Sequence, residues 1–154
     1  MLKIALVDDD ENKLKSISSH MLSRGDDIKL FVARSYKSAR NLLSDGGYDL
    51  LLLDMSLPTF DKGLGDLGGR WRKFGGRDLL FGLKTQSKNL PTLVVTQFDT
   101  FGEGHEILTL SELDNQLKEL FSELYLGAVY YSANENNWKR HIDGEIDSII
   151  GGLK

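Results

Sequence analysis

Five short apolar runs alternate with five helix-like segments along this chain, and the alternation predicts an α/β sandwich built on a parallel sheet. Two further observations support that class. Residues 48–58 read Tyr-Asp-Leu-Leu-Leu-Leu-Asp-Met-Ser-Leu-Pro, and a continuous apolar run of this length suits a strand buried on both faces. Acids also stand where runs end: Asp8, Asp9 and Asp10 after the first, Asp54 after the four leucines. Ligands gather at the carboxyl ends of strands in open α/β sheets. Asp54 can therefore serve chemistry there, or simply cap a loop.

Taken in order, residues 3–7 (Lys-Ile-Ala-Leu-Val) read as the first strand. Three adjacent carboxylates follow and repel one another unless a cation or a helix N-terminus relieves them. Leu14, Ile17, Met21 and Leu22 recur near helical spacing, and Gly25 stops that helix. Residues 28–33 form the second strand. Ser35 can cap a helix in which Ala39, Leu42 and Leu43 share a face, ended by Gly46-Gly47. The leucine run 50–53 is the third strand.

Residues 59–76, rich in glycine, break the pattern and read as an irregular insertion. A helix resumes at Asp78 with Leu79, Leu80 and Leu83. Residues 91–96 form a fourth strand ending in Thr96, and a second irregular piece covers 97–109. Thr109-Leu110-Ser111-Glu112 matches a capping box. The helix it opens lines up Leu110, Leu113, Leu117, Leu120, Phe121 and Leu124. Residues 127–131 are a short fifth strand. Trp138, Ile142, Ile146, Ile149 and Ile150 mark a last helix, stopped by Gly151-Gly152. No repeat or linker divides residues 1–154, so one domain is expected.

Composition narrows the function. The 154 residues suffice for one domain with a proper core. At 40% hydrophobic and 27% charged residues, the chain is ordinary for a soluble globular protein. The net charge of -4 gives no general attraction for nucleic acid. With no cysteine, disulfides, thiolate metal sites and cysteine nucleophiles are excluded. No apolar run reaches membrane-spanning length, and the start is too short for a signal peptide. A cytoplasmic protein is the default.

In a parallel sheet the strand ends share one edge, which gathers Asp8, Asp9, Asp54 and Thr96. Two or three carboxylates with backbone oxygens suit a hard divalent cation such as Mg²⁺. A metal there would offset charge repulsion when a carboxylate attacks phosphorus.

Four stretches carry a family resemblance: Val7-Asp8-Asp9, Leu53-Asp54-Met55-Ser56-Leu57-Pro58, Leu90-Pro91-Thr92-Leu93-Val94-Val95-Thr96, and Gly127-Ala128. In this order and at strand ends, they resemble the receiver domain of two-component response regulators. The resemblance covers nearly the whole chain outside the two irregular pieces. It implies a flavodoxin-like (βα)5 three-layer sandwich with strand order 2-1-3-4-5. By position, Asp54 resembles the phospho-acceptor. Asp8 and Asp9 resemble the Mg²⁺-binding acids, with Asp54 and the Ser56 carbonyl completing the protein ligands. Thr96 resembles the hydroxyl that swings to the phosphoryl group. Tyr131 resembles the switch aromatic, with Tyr130 in competition.

The family's lysine after the fifth strand is missing. Counting from Gly127-Ala128 without gaps, its slot is Asn134, which supplies no charge. Lys139, Arg70 and Arg72 are distant cations that can stand in for it. Gln97 and Phe98 stand where a small residue usually follows the hydroxyl. Both irregular pieces replace short turns on the strand-end edge, where they can form a lid or a docking surface.

The resemblance implies a stand-alone receiver that takes a phosphoryl group on Asp54 with Mg²⁺, from a sensor histidine kinase or a phosphotransfer protein. Its enzymatic activity would be at most self-phosphorylation and self-dephosphorylation. With no output domain after the last helix, it would signal by protein contacts. In the family the fourth helix, fifth strand and fifth helix often form the interaction face, so the resemblance implies that the 110–124 helix and the last helix can meet a partner or a second copy. The alternative is a pseudo-receiver, a binding module without phosphotransfer. A Mg²⁺-dependent phosphatase or phosphotransferase is a third class, but no second acid stands two residues after Asp54.

Other motifs carry weaker readings. Gly63-Leu64-Gly65-Asp66-Leu67-Gly68 matches G-x-G-x-x-G but follows no strand and opens no helix, so it reads as loop. Arg70, Trp71, Arg72, Lys73, Phe74 and Arg77 read as a solvated loop with anchoring rings, or as a partner surface. His20, His105 and His141 show no metal spacing.

Overall fold

The structure, a computed structural model, describes residues 1–63 and 68–152. Its elements begin with β1 (Leu2–Val7), α1 (Glu11–Ser23), β2 (Ile28–Ala33), α2 (Tyr36–Ser44) and β3 (Leu50–Leu53). The middle of the chain holds β4 (Leu57–Pro58), β5 (Trp71–Arg72), α3 (Gly75–Thr85) and β6 (Thr92–Thr96). Then come β7 (Thr100–Glu103), β8 (Glu106–Thr109), α4 (Leu110–Leu120), β9 (Tyr125–Tyr130) and α5 (Asn137–Gly152). The main sheet runs β2-β1-β3-β6-β9 with all neighbours parallel, which is the expected 2-1-3-4-5 order of its five strands. Among the described residues, no helix is long and apolar enough to cross a membrane.

The leucine run explains the layering. Successive side chains in a strand point to opposite faces. Leu51 and Leu53 join the core under α2, α3 and α4, whereas Leu50 and Leu52 join the core under α1 and α5. All four are fully buried, each side chain contributing roughly 1.5–3 kcal/mol relative to exposure. Helix starts reflect local chemistry. Asp10 caps α1 by accepting from the Lys13 N–H at 2.9 Å. Ser35 with Ser38 and Thr109 with Glu112 form the capping boxes of α2 and α4. Leu22 departs from its expected place on the α1 face: it is 81% exposed.

The two pieces expected to be irregular contain strands. Residues after Pro58 return as a short antiparallel ribbon pairing Leu57 with Arg72 and Pro58 with Trp71. The second piece is the β7–β8 hairpin, anchored in the core by Phe101. Gly102 permits it: at φ +91°, a Cβ would lie 2.0 Å from the Glu106 carbonyl oxygen. The Gly63–Gly68 motif falls largely outside the described residues. Strand β9 starts two residues earlier than expected and carries a bulge. Thr92 pairs with Tyr125 and Leu93 with Gly127, which leaves Leu126 unpaired.

Helix α3 starts at Gly75, three residues before the expected Asp78. Its first turn packs on the loop after β3: the Gly76 N–H donates to the Met55 carbonyl at 2.8 Å. A Cβ on Gly76 would fall 2.5 Å from the Asp54 carbonyl oxygen and 3.0 Å from the Met55 Cα. Both are backbone atoms and cannot swing aside. Gly76→Ala is therefore expected to destabilise the fold by about 1–3 kcal/mol and to shift the Asp54 and Met55 amide resonances. Gly82→Ala, in the same helix with open space around its Cβ, should instead stabilise by roughly 0.5–1 kcal/mol. Chemical denaturation of both variants checks the contrast.

Candidate functional site

The strand-end edge is set by register. Val7 pairs with Ala33 and Leu53, and Leu53 pairs with Val94. Asp8, Asp54 and Thr96 therefore leave or end three adjacent strands side by side. The Asp54 N–H donates to the Val7 carbonyl at 2.9 Å, which fixes β3's exit against β1's. Asp8, Asp9 and Asp54 each present an oxygen, and the three oxygens lie within 4.8 Å of one another. Asp8 and Asp54 are buried, at 1% and 3% exposed; Asp9 is half-buried at the mouth.

Each acid has a distinct local role. Asp8 accepts from the Asp10 N–H at 2.9 Å, Asp54 Oδ1 accepts from the Met55 N–H at 2.8 Å, and Asp9 meets the exposed Lys62 at 3.3 Å. Burial pushes the Asp54 carboxyl up to about 7; Lys13 opposes the rise and Asp8 adds to it. Asp8 is also raised, chiefly by burial, against the pull of Lys13. Asp10 is lowered, because as helix cap it accepts from the Lys13 N–H.

Lys13 is the site residue that sequence reasoning missed. Its side chain is fully buried, and its Nζ lies 2.5 Å from Asp8 Oδ2 and 3.6 Å from Asp54 Oδ2. It also donates to the Val95 carbonyl at 2.6 Å. One ammonium on α1 thus ties together the ends of β1, β3 and β6. The signal was present: Lys13 stands four residues before Ile17 and eight before Met21, on the buried stripe of α1. A cation in an apolar stripe has to find anions.

The remaining candidates are spread around this centre. Thr96 is fully buried at the end of β6, where its Oγ1 accepts from the Phe98 N–H at 3.2 Å. The Ser56 hydroxyl donates to the Lys73 carbonyl at 3.0 Å. Gln97 Nε2 donates to Asp10 Oδ2 at 3.2 Å, across the edge of the pocket. Tyr131 is buried in the core under α1 and α5, with its ring 5.1 Å from that of Trp138. Tyr130, its neighbour in the chain, is 46% exposed. Asn134 is exposed, and its N–H donates to Ser132 Oγ at 3.4 Å. The count to that slot starts beyond the bulge, since β9 keeps regular register with β6 from Gly127 to its end at Tyr130.

The basic, aromatic residues are ordered rather than loose. The Arg72 guanidinium stacks 3.9 Å from the Tyr36 ring, and that of Arg77 lies 4.0 Å from the Phe74 ring. Arg77 also bonds Glu106 and Gln116, tying α3 to the hairpin and α4.

No family model matches the chain. An uncharacterized protein, y4jR of Sinorhizobium fredii, is 27% identical over 143 residues, 92% of this chain and 94% of that one. The Detocs response regulatory protein DtcB of Enterobacter cloacae is 24% identical over 150 residues, 96% of this chain and all of DtcB. Among solved structures, the receiver domain of the Francisella response regulator 1452 superposes with a TM-score of 0.67 at 20% identity, over 100% of both chains. The response regulator TrrA of Thermotoga maritima, in complex with Mg²⁺ and BeF, gives 0.61 at 17% identity, over 94% of this chain and 99% of that one. The Mn²⁺-bound response regulator Rcp1 gives 0.61 at 19% identity, over 94% and 91%. The chain therefore has the fold of a response regulator receiver domain, and a response regulator is among its sequence relatives.

Proposed function

We propose that the chain is a receiver that accepts a phosphoryl group on Asp54 from a phosphohistidine, with a divalent cation, and that a protein partner reads the phosphorylated state. The observation that carries this is the position of Asp54: a buried carboxylate at the end of the central strand, grouped with Asp8 and Asp9. The donor set fits a metal. The three carboxylates outnumber the Lys13 and Lys62 cations paired with them, and oxygen ligands suit Mg²⁺. Asp8, Asp9, Asp54 and the Ser56 carbonyl would hold it. A cation bound there supplies charge neutralisation between Asp54 and the incoming phosphoryl group. The chain's own residues fix the nucleophile: the Met55 N–H and Lys13 orient the Asp54 carboxylate, and burial limits water at the reacting oxygen.

Purified protein with Mg²⁺ and acetyl phosphate should acquire hydroxylamine-labile phosphate, and Asp54→Asn should acquire none. Equal labelling of the variant would place the acceptor elsewhere. A pseudo-receiver is the second reading, favoured by the 3% exposure of Asp54 and by Gln97 held across the pocket edge. It takes over if beryllofluoride with Mg²⁺ leaves the amide spectrum of the wild type unchanged.

A further inference from the structure

We propose that Lys13 is the catalytic cation of this pocket, an ammonium delivered from the first helix that binds an oxygen of the phosphoryl group on Asp54. The inference rests on the phospho-acceptor reading and adds the residue that meets the transferred group.

A lysine ammonium has three donors. Asp8 Oδ2 at 2.5 Å and the Val95 carbonyl at 2.6 Å engage two of them. Asp54 Oδ2, at 3.6 Å, is an ion-pair partner beyond hydrogen-bond distance. The ammonium is thus held by two short bonds while it stands off the nucleophilic carboxylate. Phosphorylation places new anionic oxygens beside Asp54, and the third donor is positioned to meet one of them.

Packing does not account for a lysine here. Position 13 continues the buried stripe of Ile17 and Met21, which leucine or methionine would extend without burying a charge. A cation in the first turn also opposes the helix dipole. Other cations near in sequence or space are less suited. Lys139 lies over the Trp138 ring and Arg72 over Tyr36, while Lys62 reaches the pocket only at its mouth, as an exposed partner of Asp9.

In the step, an Asp54 carboxylate oxygen forms the new O–P bond while the donor's P–N bond breaks, or its P–O bond in acetyl phosphate. The electron pair leaves with the imidazole nitrogen, which takes a proton from solvent, or with acetate. Lys13 keeps its protons throughout and offsets charge on the phosphoryl oxygen. Removing one such donor lowers rates by about 100-fold or more.

The absence of cysteine makes a clean test available. The K13C variant carries one thiol, which bromoethylamine converts in the unfolded chain to an aminoethyl thioether of lysine's length. After refolding, with the fold checked by the amide spectrum, phosphorylation by acetyl phosphate and Mg²⁺ is timed per folded molecule. Unmodified K13C should be slower than wild type by about 100-fold, and aminoethylation should restore most of the rate. K13C at the wild-type rate overturns the role of Lys13 and leaves Asp54 as acceptor. A wild type that takes no phosphate overturns the phospho-acceptor reading itself. Should K13C not refold, the wild-type Lys13 ammonium resonance is monitored during beryllofluoride titration. It should shift together with the Asp54 amide; if it stays fixed while that amide moves, the proposal fails.

Discussion

Replacing Lys13 with methionine is expected to cost the metal-free protein about 3–5 kcal/mol at pH 8, and markedly less at pH 5. Methionine fills the same buried stripe as Ile17 and Met21, so little of the loss should come from packing. What is lost is the ammonium 2.5 Å from Asp8 and 3.6 Å from Asp54. Both carboxyls are already raised by burial, and Lys13 is the group that holds them down. Without it, each must stay ionised in a dry site or take up a proton. At pH 5 protonation is cheap; at pH 8 it is not. Guanidinium unfolding at the two pH values, with a chelator present, measures the difference. The double variant K13M/D54N should recover a large part of the loss, because it removes one stranded carboxylate, and residues in one ionic network are not additive. A K13M loss of equal size at both pH values would mean a packing defect and sink the electrostatic account.

The layering of this protein was legible because its strands are continuous apolar runs. Four leucines in a row can only be buried by covering both faces, and that fixed the central strand with helices on either side. The caps at Ser35 and Thr109 were legible for a similar reason, since capping is chemistry between residues three apart. Other features depend on distant partners. The β4–β5 ribbon joins residues on either side of a long insertion, and the β7–β8 hairpin turns on Gly102 and Gly104 without an alternating apolar pattern. The bulge at Leu126 is set by pairing with Thr92 and Leu93, so the true start of β9 could not be read along the chain. Asp8, Asp9, Asp54 and Thr96 could be gathered from topology alone. Lys13 could not be found by looking for a lysine near the fifth strand, because it enters from α1, 82 residues before the Val95 carbonyl it bonds. Its trace in the sequence was a charge where the helical period demanded an apolar residue.

Asp54→Asn is expected to stabilise the metal-free protein by an amount that grows with pH, from little at about pH 4 to a few kcal/mol at about pH 8. The sign comes from proton binding. The Asp54 carboxyl ionises at about 7 in the folded protein against 3.8 when unfolded, so the folded state holds its proton over a range where the unfolded state has released it. A raised acid contributes its full share of stability below the unfolded value and loses it as pH rises through the folded one. Each tenfold change in proton affinity is worth about 1.4 kcal/mol, and asparagine, which keeps the shape without ionising, avoids the loss. The difference between the two stability curves isolates Asp54 from the other acids. A divalent cation should act in the opposite direction, because a metal that binds the folded state alone raises its stability. Mg²⁺ should therefore raise the unfolding temperature of the wild type more than that of Asp54→Asn, and more at pH 8 than at pH 5. If the two curves run parallel from pH 4 to pH 8, Asp54 is not the strained carboxylate of the pocket. If Mg²⁺ raises both proteins equally, the cation does not use Asp54 as a ligand.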